Sequence, residues 1–356
     1  MISRPTLFDA PGGDTIQISE TAAELRNIGV EVEIKLANEK INYHQFDLIH
    51  FFNMIRPNAI WPHIKKSKLP YVLSTIYVDY TVVDQYLRSK LLNRIIKIIG
   101  QDRGEYLKTI ARNILNSEPI MDFDYLWMGH RKSVKRILNK ASYLLPNSNS
   151  EWARIVKDYN PTSTGKIIPN GFPSNFKKSA FDPTIKSGVI CVARIEPIKN
   201  QLNLIKAIQG TNIPLKIIGQ AAPNHHNYFE ECKRIATENV EFIGQLNQAD
   251  LLDHYKKAKV HILPSWFETT GLSSLEAAAM GCNIIVSPYG DTKEYFEGAI
   301  FCEPDNVQSI KHSIEKALAM EWEPLLRNRV LMKYNWKIAA EMTHLVYQEV
   351  LNNHYD

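Results

Sequence analysis

Residues 260–286, VHILPSWFETTGLSSLEAAAMGCNIIV, read as a strand, a polar loop, a helix and a second strand. Val260 to Leu263 and Asn283 to Val286 are short runs rich in β-branched apolar residues, the composition of strands buried on both faces. Between them, Ser273 to Met280 is a helix-length segment of good helix formers, opened by the Thr270-Gly271-Leu272 turn. A strand, helix and strand in this order predict a βαβ unit, whose two strands run parallel.

The alternation continues outward. Strand-like runs at Val189 to Val192, Leu215 to Ile218, Val240 to Ile243 and Ala299 to Cys302 alternate with helix-like stretches at Leu202 to Ile208, Tyr228 to Ala236, Gln248 to Lys257 and Ser309 to Leu318. The first half repeats the scheme less cleanly. Strands are expected at Ile2 to Phe8, Val30 to Ile34, Leu48 to Phe51, Tyr71 to Ile76 and Tyr143 to Pro146, with a helix from Thr15 to Ile28. Residues from about 80 to 136 interrupt the pattern as a basic, mostly helical insertion, and Phe172 to Lys186 is expected to be a hinge. A chain of 356 residues, 44% hydrophobic and 22% charged, suits two α/β domains.

The formal charge of +4 fits an anionic substrate or a membrane surface and falls short of a nucleic-acid binder. Cys191, Cys232, Cys282 and Cys302 form no CxxC pair and read as buried thiols in a reducing compartment. With no signal-like N-terminus and no run of eighteen apolar residues, the expected location is cytoplasmic, with a place at the inner face of a membrane left open. Arg88, Lys90, Arg94, Lys97, Arg103, Lys108 and Arg112 share the insertion with Leu91, Leu92, Ile95, Ile96, Ile98 and Ile99. Residues 86–112 therefore read either as a lipid-facing surface or as a helix packed on its domain with a solvated basic face.

The residues suited to chemistry cluster in the second half. Ser273 and Ser274 open a helix, whose first N–H groups and dipole can hold a diphosphate. Glu276 lies about a turn inside, suited to a ribose diol, and Glu268 on the preceding loop can reach a sugar hydroxyl. The alternative makes Glu276 a complement to the helix dipole and Glu268 a solvated loop residue. Arg194 and Lys199 follow a strand and precede a helix, where parallel sheets bind ligands; they serve a departing diphosphate or form a solvated loop with Glu196. His50 reads as a satisfied, partly buried histidine or an acceptor-cleft residue.

Gly12-Gly13, Asn170-Gly171, Arg194 with Lys199, Glu268-x7-Glu276 and Gly290-x3-Glu294 occur in that order, and the chain so resembles glycosyltransferase family 4, the retaining group 1 enzymes. The resemblance covers most of the chain and is most specific from about 165 to 336. It implies a GT-B fold: two α/β Rossmann-like domains with parallel sheets facing a cleft. Residues 1–170 would form the acceptor-side domain and 171–336 the donor-binding domain. The helix 337–356 would cross back to complete the first.

The resemblance also assigns roles. Arg194 and Lys199 would hold the diphosphate, Glu268 the donor sugar and Glu276 the ribose. Gly271 and Leu272 would offer backbone amides, and Gly12, Gly13, Asn170, Gly219, Ser273 and Glu294 would complete the donor set. Where relatives carry a histidine in a V-x-T-x-H pattern, this chain reads VLSTIYVDY. Tyr77 would take over the catalytic position or pack its ring. The usual E-G-F-G turn is E-T-T-G here. No metal cage and no Asp-x-Asp pair is picked out, so metal-independent chemistry is expected.

The expected function is transfer of a hexose from a UDP- or GDP-sugar to a glycan or lipid-linked acceptor, in surface polysaccharide or lipopolysaccharide synthesis. Two alternatives stand beside it: a GT-B sugar-nucleotide epimerase, and a catalytically silent nucleotide-sugar-binding partner.

Overall fold

The computed structural model describes residues 1–79 and 123–355. They divide into two compact units, one made of 1–77, 123–169 and 336–355, the other of 78–79 and 170–335. Each is built on a six-stranded, wholly parallel sheet.

In the first unit β1 (Ile2–Ser3), β2 (Lys35–Leu36), β3 (Ile49–Phe52), β4 (Tyr71–Ser74), β5 (Tyr143–Leu145) and β6 (Thr164–Gly165) lie in the order β2-β1-β3-β4-β5-β6. β3, β4 and β5 fall within two residues of expectation at each end and β6 was not expected at its residues; the two largest departures have visible reasons. The expected Ile2 to Phe8 strand stops at Ser3 because the Arg4 guanidinium gathers the following turn, donating to Thr6 and Ala10 carbonyls and pairing with Asp14 at 2.6 Å. The expected Val30 to Ile34 strand does not form there; β2 begins just beyond it, at Lys35, because Arg26 holds the Val32 carbonyl from the preceding helix.

The Trp336–Tyr355 helix belongs to this first unit. Ala339, Ala340, Thr343, Val346, Tyr347 and Val350 are buried at helical spacing, and the helix packs on Gly13–Asn27. Tyr347 OH lies 2.7 Å from His50 Nδ1, while His50 Nε2 lies 2.8 Å from Ser74 Oγ and the imidazole stacks on Phe52. His50 is thus a satisfied core histidine. Burial holds its pKa well below the ordinary histidine value. An unfolded chain takes up that proton first as pH falls below about 6.5, so the stability linked to neutral His50 is complete above that pH and is lost below it. The urea midpoint should therefore drop from pH 7 to pH 5, and His50→Gln should flatten the slope; an unchanged slope would contradict the account.

In the second unit β7 (Ser187–Val192), β8 (Leu215–Ile218), β9 (Val240–Ile243), β10 (Ala258–Leu263), β11 (Asn283–Val286) and β12 (Ile300–Phe301) run in the order β12-β11-β10-β7-β8-β9. The central strands are near-continuous apolar runs because helices cover both faces, and Val189, Ile190, Cys191, Val260, Ile262, Ile284 and Ile285 are all buried. All four cysteines are free and buried. Phe172 and Phe176, in the segment expected to be a hinge, are fully buried in this core, and Phe172 N–H donates to the Tyr334 carbonyl. The apolar side chains make that segment part of the unit. The basic stretch Arg88 to Arg112 lies outside the described residues.

Candidate functional site

The neighbouring strands β7 and β10 end on the same edge of the second sheet, and their loops carry most of the singled-out side chains. After β7 the chain is held to the loop after β8: Ile195 N–H donates to Gln220 O at 2.8 Å and Ala222 N–H to Ile195 O at 3.1 Å. Gly219 permits this approach. Its φ is +142°, and a Cβ there would stand 2.1 Å from the Ala193 carbonyl oxygen. Gly219 thus shapes the backbone that presents Arg194.

Pro197–Lys199 form a single 3₁₀ turn, after which Asn200 takes φ +60°. The buried Asn200 amide donates to Pro264 O at 3.1 Å and Pro304 O at 2.7 Å, while Trp266 N–H donates to Ile198 O at 2.9 Å. These bonds tie the β7 loop to the β10 loop and set Lys199 Nζ 2.5 Å from Glu268 Oε1. Their side chains are 20% and 9% exposed, so this is a largely buried ion pair rather than a solvated loop contact. Arg194 instead pairs at 2.8 Å with Glu196, the partner named in the alternative reading; the guanidinium is 43% exposed and the carboxylate 11%, so only the arginine side of the pair is solvated.

Gly271, at φ +75°, precedes the Leu272–Ala279 helix. The first helical bonds run from Ser274 and Leu275 N–H to the Gly271 carbonyl, so the N–H groups of Leu272 and Ser273 stand ahead of the ladder. Together with the helix dipole they make a ready seat for an anion. Further along the same helix, Glu276 is buried and its Oε2 accepts from Tyr255 OH at 3.0 Å. Beneath the first turn, His261 lies 3.4 Å from Ser274 Oγ; burial lowers its pKa to about 3, leaving it neutral.

Glu268 is fixed from its backbone as well: its N–H donates to Tyr289 O, and Asp291 N–H donates to its carbonyl. Gly290 lies between those partners at φ +93°. Glu294 sits in the short Thr292–Tyr295 helix, where its carbonyl accepts from Tyr334 OH at 3.2 Å. Asn170 is buried; its N–H donates to Tyr295 OH at 3.0 Å and its amide to Thr270 Oγ1 at 2.9 Å. The second threonine of E-T-T-G thus anchors the start of this unit.

Gly12, Gly13 and Tyr77 are in the first unit and are described within it. Gly12 caps the Gly13–Asn27 helix and donates its N–H to Thr15 Oγ1 at 3.0 Å. The Tyr77 hydroxyl donates to Asp158 at 2.7 Å, and its N–H donates to Glu151 at 2.8 Å. Glu151, fully buried, also accepts from Thr75 OH and from Asn147 N–H.

Several supporting residues were not foreseen. Glu151 carried a signal, since Ser148-x-x-Glu151 spells a capping box, and Ser148 Oγ accepts from Glu151 N–H. Asn200, Gln201 and Tyr255 carried none. Gln201, buried, donates to the Arg194 carbonyl at 2.9 Å. The sequence also passed over Asp122-Phe-Asp124, which does spell Asp-x-Asp. Asp122 lies outside the described residues; Asp124 accepts from Trp61 Nε1 and pairs with Arg136, both at 3.0 Å. Among the described residues no three metal-ligating side chains cluster.

The family described as glycosyl transferases group 1 matches residues 174–335. An uncharacterized glycosyltransferase of Methanocaldococcus jannaschii is 29% identical over 189 residues, 49% of this chain and 48% of that protein. A glycogen synthase of Mycobacterium tuberculosis is 29% identical over 114 residues, 30% of this chain and 28% of that protein. The chain thus spans half or less of the length of these curated relatives. Among solved structures, sucrose-phosphate synthase from Thermosynechococcus elongatus superposes with a TM-score of 0.71 at 16% identity, covering 96% of this chain and 94% of that one. Anabaena HepE, solved with UDP and glucose, superposes with a TM-score of 0.66 at 14% identity, covering 98% and 99%. These likenesses show the GT-B fold, and the matched segment, residues 174–335, is a group 1 glycosyltransferase domain.

Proposed function

We propose that the chain is a retaining glycosyltransferase that moves a hexose from a UDP- or GDP-sugar to a glycan or lipid-linked acceptor, in synthesis of a bacterial surface polysaccharide or lipopolysaccharide. The observation that carries this reading is the convergence of the Lys199–Glu268 ion pair, Arg194, Glu276 and the Leu272–Ala279 helix start at the carboxyl ends of adjacent strands. The UDP and glucose in the HepE structure support a nucleotide-sugar donor.

In this reading the Leu272 and Ser273 N–H groups take the diphosphate, and Glu276 accepts from the ribose diol. Lys199 turns from Glu268 to the phosphate, and the carboxylate so released positions the sugar. The acceptor hydroxyl attacks the anomeric carbon on the face the diphosphate leaves. The new C–O bond forms as the bond to phosphate breaks, and the leaving oxygen takes the proton. Arg194, Lys199 and the helix N-terminus meet the charge that grows on the leaving group, the largest electrostatic demand of the step. The reaction is proposed to need no bound metal, since protein cations fill that role. Residues 86–112, read from sequence, would meet an anionic membrane at its cytoplasmic face.

A thermal-shift screen of UDP-, GDP- and ADP-sugars tests the donor. A ligand at 100 times its Kd should stabilise the fold by about 2.7 kcal/mol. No response to any nucleotide would overturn the reading, and turnover of the donor sugar without acceptor would point to an epimerase. Against the selected donor, Glu276→Gln should weaken binding by roughly one to two decades, because a hydrogen bond to a charged group contributes roughly 1.5–3 kcal/mol. Unchanged affinity by calorimetry would remove Glu276 from the ribose.

A further inference from the structure

Tyr255 is held from every side. The Gln248–Lys257 helix that carries it is capped by Asn247, whose side chain accepts from Asp250 N–H at 3.0 Å. At its other end the buried Lys186 ammonium donates to the carbonyls of Tyr255 at 2.7 Å and Ala258 at 3.0 Å. Cys282 Sγ donates to the same two carbonyls at 3.3 Å. The ring, fully buried, packs edge-on against Phe176 and beside His261.

With backbone and ring fixed, the hydroxyl meets Glu276 Oε2 at 3.0 Å. Burial, and then the nearby Glu276 carboxylate, raise the Tyr255 pKa well above the ordinary tyrosine value, so the group remains a donor. The neutral His261 below the helix brings no positive charge to the carboxylate. A carboxylate reads a diol only when its plane is set beforehand, since an untethered one spends binding energy on being ordered.

We propose that Tyr255 is the positioning residue that orients Glu276 toward the ribose, and so sets a preference for ribonucleotide over deoxyribonucleotide donors. This rests on the donor reading of Glu276 above. Tyr255 touches no substrate; it acts through the orientation of the carboxylate. A residue that served stability alone would affect both kinds of nucleotide equally.

Calorimetric titration of wild type and Tyr255→Phe with UDP and 2′-deoxy-UDP, or with the guanosine pair if the screen selects it, tests the inference. Wild type should favour the ribonucleotide by about 10-fold or more, as loss of a hydrogen bond to a charged group implies. In Tyr255→Phe that ratio should collapse to within about 3-fold, through weaker ribonucleotide binding alone. Retention of the full ratio in a folded Tyr255→Phe protein would overturn the inference while leaving Glu276 on the ribose. Equal affinities in wild type would overturn the ribose assignment itself, and the inference with it. In a Glu276→Gln background, Tyr255→Phe should not change the ratio further, and an additional change there would show that the tyrosine acts by another route.

Discussion

Lys199→Ala is expected to lower turnover by about 100-fold or more and also to destabilise the second unit, whereas Arg194→Ala should lower turnover comparably with a smaller loss of stability. The difference follows from the two ion pairs. Removing Lys199 leaves the Glu268 carboxylate largely buried without its ammonium, a loss of about 3 kcal/mol or more. Arg194 is 43% exposed, though its partner Glu196 is only 11% exposed, so the pair is part-buried on one side and its loss costs less than that of Lys199. For both variants the loss in kcat should exceed the loss in donor affinity, because the charge they meet grows in the transition state. Denaturant titration with single-turnover kinetics separates the effects. Equal losses in affinity and turnover would assign both residues to ground-state binding, and a stable Lys199→Ala protein would contradict the burial argument.

Gly290→Ala is expected to cost a large part of the second unit's stability. At φ +93° an alanine Cβ would stand 2.0 Å from the Glu268 carbonyl oxygen and 2.9 Å from its nitrogen. Left-handed strain of about 1–3 kcal/mol and overpacking of a similar size would add, so a loss of about 4 kcal/mol or unfolding is expected. Gly298 is the matched control, since it shares φ +93° and has nothing within 4 Å of an added Cβ. Gly298→Ala should show only the backbone component, about 1–2 kcal/mol. Denaturant midpoints for the two variants measure the comparison; similar midpoints would mean that Gly290 is required for its φ and not for the approach of Glu268.

The second unit was legible because its central strands are apolar on both faces. β8 and β11 form at their expected residues, as does the edge strand β9, and the Gln248–Lys257 helix does so to both ends. Strands β1 and β2 of the first unit were not, because Arg4 and Arg26 decide where β1 ends and β2 begins through contacts invisible in a local pattern. At the site, Glu268 and Glu276 could be singled out from their spacing around a helix start. The partner of Glu268 could not, since Lys199 lies 69 residues away and meets it only through the Asn200 and Trp266 bonds. Nothing in the sequence singles out Tyr255, and only the placement of its hydroxyl distinguishes it. Gly219 was chosen as a donor contact; its proximity to Ala193 gives it a role in loop approach that no sequence pattern carries.

A crystal structure of this chain soaked with UDP or GDP, whichever the thermal screen selects, tests the central claim most directly. The account predicts the diphosphate within hydrogen-bond reach of the Leu272 and Ser273 N–H groups, the ribose hydroxyls on Glu276, and Lys199 Nζ drawn from Glu268 toward phosphate. A nucleotide bound elsewhere, or one seated here with the ribose away from Glu276 and the Lys199–Glu268 pair intact, would contradict it.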